Sequence, residues 1–181
     1  MVSDTNRYAG IDHGARLATI QARLPLGNGC DALLFTDLVD VRWLTGFTGS
    51  NGWAVVTAAE LVLGTDGRYG ERARAETAQV GATVIAETSR AKLHERLVGS
   101  LAAARFVGLD PASTSHAEWR RLAEHLVLQP TDSFGGLLRR VKDDAEIERM
   151  TAAAQAADVA LVEVEPLLLA TVDHPVTEAD I

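Results

Sequence analysis

The residues best suited to binding a ligand lie in the string Thr-Asp-Gly-Arg-Tyr at 65–69, where a predicted strand meets a predicted helix. Asp66 can cap that helix through its carboxylate, and Gly67 permits a sharp turn. Arg68 then stands in the first helical turn, where the helix dipole disfavours a cation. Its guanidinium can pair with Asp66 or Glu71, or it can bind an external carboxylate or carbonyl through parallel hydrogen bonds.

A second unusual stretch runs from residue 42 to residue 53 and combines an arginine, two tryptophans and a phenylalanine with flexible backbone. Its glycines stand three residues apart, at positions 46, 49 and 52. This spacing differs from the dinucleotide-binding fingerprint, although a loop of this kind can cradle a phosphate. It also suits a tight loop that needs positive φ, with aromatic side chains packed beside it. A third interpretation is a small-ligand pocket walled by Trp43 and Phe47.

The sequence contains no recognisable catalytic constellation, and we assign no catalytic residue and no metal ligand. None of the five histidines belongs to a His-Glu-x-x-His helix, and neither a nucleophile elbow nor a Walker loop is present. For each histidine a surface or helix-capping role is favoured over ligation. The histidines are His13, His94, His116, His125 and His174. The single cysteine, Cys30, cannot form an internal disulfide and is expected to be a small filler in a buried or half-buried place.

Composition places the chain among folded proteins. It has 181 residues, of which 47% are apolar and 23% charged, as is ordinary for one domain, or for one domain with part of another. The formal net charge of −8 gives no electrostatic footprint for nucleic acid or an anionic membrane. No run approaches the roughly 20 apolar residues of a membrane helix, and the first residues lack a signal-peptide core. A cytoplasmic location is the expectation.

Helical and strand patterns alternate from about residue 11 to residue 140. This alternation predicts an α/β fold of three layers, α/β/α, in which helices cover both faces of a sheet. A three-residue connection at 58–60 predicts a hairpin, so the sheet is mixed. The predicted strands lie at 31–35, 42–45, 53–57, 61–65, 83–86, 106–109 and 126–128. Two predicted helices lie at 12–24 and 68–78. A third follows the cap Ser89 and includes Leu101 and Ala104, and a fourth follows the cap Ser115 and includes Trp119 and Leu122.

From Asp143 the pattern is purely helical. Asp143 and Glu146 have capping-box spacing. Apolar residues then recur at helical spacing, so this stripe must pack on something, and Pro166 should end or kink the helix. Residues 174–178 suggest a linker into another helix. The stripe comprises Ile147, Met150, Ala154, Ala157, Leu161 and Val164. We therefore expect one domain at 1–141 and the start of another at 142–181.

The motifs at 37–50, 65–69 and 140–147, taken in this order, resemble the N-terminal domain of the Xaa-Pro metallopeptidases, the family of aminopeptidase P and prolidase. The first runs Asp-Leu-Val-Asp-Val-Arg-Trp-Leu-Thr-Gly-Phe-Thr-Gly-Ser, and the second is the Thr-Asp-Gly-Arg-Tyr string. The third, Arg-Val-Lys-Asp-Asp-Ala-Glu-Ile, is similar to the family's junction with its catalytic domain. The resemblance covers about residues 11–181.

The resemblance implies a creatinase/prolidase N-terminal domain followed by the first helix of a truncated pita-bread domain. In the full enzymes the pita-bread domain binds two divalent metals, manganese or cobalt, whose ligands would all lie beyond Ile181, and hydrolyses the peptide bond before proline. The N-terminal domain gates substrate access and supports a homodimer. The resemblance also implies that Arg68 contacts the proline-containing peptide, with Trp43 and Phe47 as pocket walls. This chain alone should not hydrolyse peptides, whereas its parent would be an Xaa-Pro metallopeptidase.

Two departures from the family pattern affect the pocket, since Asp40 replaces the commoner Asn and Trp43 the commoner Tyr. Two other functions stay open. The chain can be a stand-alone, non-catalytic binding module, or it can belong to a creatinase-like amidinohydrolase, because a shared fold does not fix the reaction.

Overall fold

A computed structural model describes residues 10–170, which divide into two compact units. The first unit, Asp12–Val141, contains a six-stranded sheet and six helices. The second contains one long helix within residues 142–170. Within residues 10–170, none of the helices combines the length and the apolar character needed to cross a bilayer. The domain boundary expected after residue 141 stays a prediction.

The sheet has the strand order β4-β3-β2-β1-β5-β6. Its strands are β1 (Ala32–Phe35), β2 (Gly52–Thr57), β3 (Leu61–Asp66), β4 (Thr83–Glu87), β5 (Val107–Leu109) and β6 (Leu128–Pro130). Strand β2 is antiparallel to both of its neighbours, whereas the other adjacent pairs are parallel. Five strands therefore point the same way, and their carboxyl ends meet at one edge of the sheet, where β2 begins. The mixed sheet predicted from the sequence is confirmed.

Helices cover both faces of the sheet, as the alternating pattern predicted. The helices of this unit are α1 (His13–Gln21), α2 (Leu38–Thr45), α3 (Gly70–Thr77), α4 (Arg90–Ser100), α5 (His116–Ala123) and α6 (Phe134–Leu138). Leu33 and Phe35 of β1 belong to the core cluster that includes α2, whereas Leu34 belongs to the cluster that includes α4 and α5. Because β1 is buried on both faces, all four of its residues are apolar.

The predicted hairpin is formed by β2 and β3, with Val55 opposite Val62. Thr57 holds the turn, because its amide donates to the Glu60 carbonyl at 3.0 Å. Its hydroxyl also accepts hydrogen bonds from the amides of Ala59 and Glu60. A threonine hydroxyl that bonds its own backbone nearby favours a turn over continued strand.

The strand predicted at 42–45 is wrong, because these residues form the second half of α2. Asp37 caps this helix, since its carboxylate accepts the amide of Val39 at 2.9 Å. Gly46 ends the helix in the left-handed region at φ 79°, and its amide donates to the Arg42 carbonyl. Val41 and Leu44 are fully buried three residues apart, as on one helix face. The two caps therefore override the strand preference of the β-branched and aromatic residues between them.

The last strand is displaced by two residues from the predicted 126–128, since β6 spans Leu128–Pro130. Pro130 lacks an amide hydrogen and is tolerated because β6 is an edge strand. Helix α6, which the sequence did not predict, follows after Asp132 and Ser133, both at positive φ. The helix predicted at 68–78 is divided in the structure into a 3₁₀ turn and α3.

The second unit contains α7 (Asp144–Ala170), and the predicted capping box is confirmed. The Glu146 amide donates to Asp143 at 2.8 Å, and the Asp143 amide donates to Glu146 at 3.1 Å. The helix runs through Pro166, so it does not end there, and the alternative of a kink stays a prediction. Several apolar side chains of the predicted stripe, including Met150 and Leu161, are exposed. The linker predicted at 174–178 lies outside the described residues.

Cys30 is fully buried, as predicted. Burial raises the pKa of its thiol, so the thiolate is disfavoured and the side chain acts as a small apolar group. The expectation that every histidine is a surface or capping residue is wrong for His94. This side chain of α4 is buried. It lies against Glu118, and its ring packs edge-on against Trp53.

A buried ion pair joins α2 to the residue after α6. The Arg139 Nε atom donates to an Asp40 oxygen at 2.6 Å, and the Asp40 side chain is almost fully buried. Burial raises the pKa of the Asp40 carboxyl, although the hydrogen bond and positive charge of Arg139 oppose the rise. Folding therefore favours the protonated form of this carboxyl, even though its partner is a cation.

This raised pKa predicts a pH dependence of stability. A carboxyl with a higher pKa in the folded chain binds more protons folded than unfolded, so it lowers the free energy of unfolding as the pH rises from its ordinary value of 3.8 through the raised pKa. Asp40→Asn cannot titrate. Urea unfolding at a series of pH values should show Asp40→Asn gaining stability relative to the parent chain across this window. A constant difference between the two chains would contradict the prediction.

Candidate functional site

Asp66 and Arg68 form the centre of the candidate site, at the carboxyl end of β3. The Asp66 carboxylate accepts the Arg68 amide at 2.9 Å, which caps the 3₁₀ turn Gly67–Tyr69. It also accepts the Arg68 side chain twice, from Nε at 3.1 Å and from Nη2 at 2.7 Å. Of the alternatives left open for Arg68, the structure therefore has the pairing with Asp66.

The pairing leaves Arg68 accessible. Its side chain is 81% exposed, and a guanidinium has five N–H donors, of which the Asp66 fork uses two. The hydrogen bond from Arg68 lowers the pKa of Asp66, so the carboxylate stays charged and holds the fork in place. One edge of the guanidinium is thus fixed by the protein while its other donors face solvent, as is typical of a group that binds a carbonyl or carboxylate.

Tyr69 packs beside Arg68 and connects it to the loop before β2. The Tyr69 hydroxyl hydrogen-bonds the Ser50 hydroxyl at 2.8 Å, and this bond lowers the pKa of Tyr69. The guanidinium carbons of Arg68 and Arg72 lie 5.7 and 6.0 Å from the ring centroid, within cation–π range. An aromatic ring with two cations nearby, tied to a loop hydroxyl, therefore forms the surface next to the fork.

Phe47 lies under this surface. It is 1% exposed, and its ring meets Tyr69 edge-on, with ring centroids 6.0 Å apart. The ring fills the space beneath the loop, because a Cβ atom at Gly49 would overlap it. The residue predicted as a pocket wall is thus in contact with the Arg68 surface through Tyr69, and its own side chain is buried.

Trp43 has a different neighbourhood. Its carbonyl accepts hydrogen bonds from the His13 ring at 3.0 Å and from Arg16 at 2.8 Å. The Arg16 guanidinium also lies 4.6 Å from the centroid of its ring. Its indole nitrogen is buried and has no hydrogen-bond partner in the part of the chain that is described. The contacts of Trp43 are thus with α1, whereas Phe47 and Arg68 meet at Tyr69.

The loop between α2 and β2 is tied down at both ends. The Thr48 amide and hydroxyl donate to the Glu76 carboxylate of α3, at 2.8 and 2.6 Å. Thr65 of β3 donates its hydroxyl to the Asn51 carbonyl at 2.6 Å. These bonds fix the loop against α3 and β3, so the glycine-rich stretch 46–52 is a positioned support for Tyr69. The tight-loop interpretation of this stretch fits best, since Gly46 has positive φ.

A cavity of about 360 Å³ adjoins Asp66 at the same edge of the sheet. It lies where β3 and β4 end and where β2 begins, the position at which open α/β sheets bind ligands. Its lining residues are Asn51, Trp53, Asp66, Glu87, Thr88, Arg90 and Leu93. The sequence reasoning missed Glu87 and Arg90, and the position after a predicted strand was the available signal. The cavity offers carboxylates, a guanidinium and an indole to a small polar ligand.

The described residues do not fit a metal centre. Within residues 10–170, no three or more His, Cys, Asp or Glu side chains lie close enough together to hold an ion. The acidic residues of the site are also occupied, because Asp66 holds Arg68 and Glu87 accepts Arg96 at 2.7 Å. What this edge can do chemically is bind and orient a polar group.

Fold and edge together define an α/β domain with a mixed sheet and a cavity at its carboxyl edge. Residues 16–141 match the family model of the creatinase/prolidase N-terminal domain. Because the match covers more than half of the chain, this chain belongs to the creatinase/prolidase N-terminal domain family. The resemblance proposed from the motifs is confirmed.

Individual relatives agree. The chain is 31% identical over 138 residues to the uncharacterized peptidase YqhT of Bacillus subtilis (strain 168), covering 72% of this chain and 37% of that protein. It is 34% identical over 95 residues to the probable Xaa-Pro aminopeptidase P of Phaeosphaeria nodorum, covering 49% of this chain and 14% of that protein. A solved Xaa-Pro dipeptidase from Bacillus anthracis shares the fold, with TM-score 0.79 and 21% identity. The match covers 86% of this chain and 44% of the dipeptidase. The chain thus spans less than half the length of each.

The support under Tyr69 can be tested at Gly49. Gly49→Ala places a methyl group against the buried Phe47 ring, so it should lower the free energy of unfolding by about 1–3 kcal/mol. Gly99→Ala is the matched control, because nothing lies within 4 Å of its added Cβ atom and the residue is inside α4. This control should stabilise by about 0.5–1 kcal/mol. Urea unfolding of both variants measures the difference, and equal effects would contradict the packing described.

Proposed function

We propose that this chain is the substrate-contacting N-terminal domain of an Xaa-Pro peptidase, acting on the peptide bond before proline. Family membership supports the proposal, as does the relative named as a probable Xaa-Pro aminopeptidase P. The observation that carries it is the Asp66–Arg68 fork, which presents an exposed guanidinium at the carboxyl edge of the sheet.

In this proposal Arg68 binds a carbonyl or carboxylate of the peptide. Asp66 occupies Nε and one N–H of Nη2, so the remaining donors can receive a planar oxygen group. Phe47 and Trp43 shape the pocket from behind its surface. Phe47 does so by holding Tyr69, and Trp43 by fixing α2 against α1. Neither side chain needs to touch the peptide for this role.

Hydrolysis is left to a catalytic domain. The resemblance implies two divalent metals, manganese or cobalt, but the described residues do not fit such a centre. We therefore derive no catalytic step from this chain and assign it substrate contact, gating of substrate access and a contribution to a homodimer. A cytoplasmic location belongs to the same proposal.

The first test uses the chain as it is. The 181-residue chain, supplied with manganese and an Xaa-Pro peptide, should give no hydrolysis above the rate in buffer, because its described residues offer no group of three or more side chains that could bind a metal. Release of the N-terminal residue is measured by chromatography. Sustained turnover by the purified chain would overturn the division of roles.

The second test concerns Arg68 and uses a protein that carries this chain with a catalytic domain. Arg68→Ala should lower kcat/KM for an Xaa-Pro peptide by roughly 10- to 100-fold, the loss of one charge-assisted hydrogen bond. The melting temperature should change little, because Arg68 is exposed.

Arg72→Ala is the control, since Arg72 also lies near the Tyr69 ring but is not held by Asp66. It should reduce kcat/KM much less than Arg68→Ala. Arg68→Lys should restore little activity, because an ammonium cannot form the fork and bind a second planar group together. Parallel losses of melting temperature and activity in Arg68→Ala would instead indicate a purely structural ion pair.

A further inference from the structure

A second and larger cavity lies between α4 and α5, within the unit Asp12–Val141. Its volume is about 560 Å³, in the range of small-molecule sites. Its lining residues are Arg90, Ala91, His94, Glu95, Val98, Arg121 and His125. Neither the motifs nor the proposed function account for this concentration of basic and titratable side chains in one concave place.

Two arginines converge on one carboxylate at this cavity. Arg121 donates to Glu118 at 2.8 Å, and Arg90 reaches the same Glu118 oxygen at 3.5 Å. Each guanidinium uses one nitrogen in these contacts, so each has further N–H donors. Glu118 thus neutralises part of their charge and holds them beside the cavity, as Asp66 holds Arg68.

Two buried polar atoms under the cavity have no hydrogen-bond partner in the described part of the chain. They are Nε2 of His94 and Oε1 of Glu118, which lie 3.6 Å apart, and both side chains are 10% exposed. Buried polar atoms are normally paired, so this pair needs an explanation. A hydrogen on Nε2 would supply one, because it could donate to Glu118 after a small approach, and both the Nε2–H tautomer of the neutral ring and the protonated ring carry it.

In the free chain the surroundings of His94 favour its neutral form. Burial is the main cause of its lowered pKa, the charge of Glu118 opposes this, and the neighbouring Arg121, His125 and Arg90 lower the pKa further. Glu118 is thus a strong acceptor beside the His94 ring, whereas the neighbouring arginines disfavour protonation of that ring. A negative charge placed among those cations would reverse the last effect.

Apart from Glu95, the rest of the cavity wall is apolar or aromatic. Ala91 and Val98 of α4 line it, and the rings of His94 and His125 stand 6.4 Å apart at 61°. Glu95 contributes the one carboxylate that lines the cavity itself. Such a wall suits the flat, apolar body of a small molecule, while the arginines suit a charged end.

We propose that this cavity binds a small organic anion, that is, a carboxylate joined to an apolar body. The carboxylate binds Arg90 and Arg121, and the apolar body packs against Ala91 and Val98. Binding promotes protonation of His94, whose Nε2–H then donates to Glu118. Ligand binding is thereby linked to proton uptake.

Proton uptake fixes the sign of the pH dependence. The groups that face His94 are Glu118, Arg121, Arg90 and His125, and a bound anion raises the pKa of His94 by offsetting the two arginines. The complex then holds more protons than the free chain, so affinity rises as the pH falls from about 8 to about 5. The change in affinity reports the protonation of His94.

The test is a titration of the full chain, labelled with ¹⁵N in its histidine rings, with benzoate as the probe and benzamide as its uncharged counterpart. Benzoate should shift the ring signals of His94 and His125 saturably, more tightly at about pH 6 than at about pH 8. Benzamide should give no saturable shift. No saturable shift with benzoate at either pH, or equal binding of benzamide, would overturn the proposal.

Variants assign the contacts. The double variant Arg90→Gln with Arg121→Gln should weaken benzoate binding about tenfold or more, since two charge-assisted contacts are lost. Val98→Phe should also weaken binding, because its ring enters the place where the apolar body packs, and it keeps every charge if the double variant fails to fold. His94→Gln should retain binding but flatten its pH dependence. Arg72→Gln, on α3, is the control and should bind like the parent chain. Unchanged affinity in Val98→Phe would overturn the proposed place of binding.

Discussion

The hydrogen bonding of the Asp66 carboxylate to Arg68 is the interaction on which the site depends. The carboxylate receives three hydrogen bonds from one residue, the Arg68 amide and two atoms of its guanidinium. The same group therefore ends β3, starts the 3₁₀ turn and sets the direction of the arginine. A carboxylate can do this because it accepts several donors at once, and its lowered pKa keeps it ionised. Without it, a long and flexible cation would have no fixed position.

The direction of the strands explains why this small motif is well placed. Five strands end at one edge, and the antiparallel β2 starts there, so its first residues reach the same place. The loop before β2 then lies over Phe47 and under Tyr69, bound to Glu76 on one side and to Thr65 on the other. Local capping, strand direction and a buried aromatic ring thus act together on one exposed side chain.

The sequence predicted what depends on local pattern. The hairpin and the caps at Asp66, Ser89 and Ser115 are confirmed, because each rests on residues a few positions apart. Residues 42–45 were wrongly predicted as a strand, although Asp37 and Gly46 carried the helix signals on either side.

Long-range arrangements were beyond reach of the sequence pattern. No spacing rule relates His94 to Glu118, 24 positions later, or brings Arg90 to the same carboxylate. The burial of Phe47 depends likewise on glycines and on Tyr69, which approach it only in the folded chain. For the candidate site, the sequence identified Arg68 and its possible protein partners, Asp66 and Glu71. The structure was needed to show that the partner is Asp66.

The placement of Pro130 bears on how copies of this domain can associate. It is the last residue of β6, an edge strand of only three residues. An additional strand docking there would meet a position without an amide hydrogen and very little ladder to extend. Growth of the sheet from one molecule into the next is thereby discouraged on this side. Any assembly of the domain should accordingly use side chains of helices and loops more than shared backbone pairing at this edge.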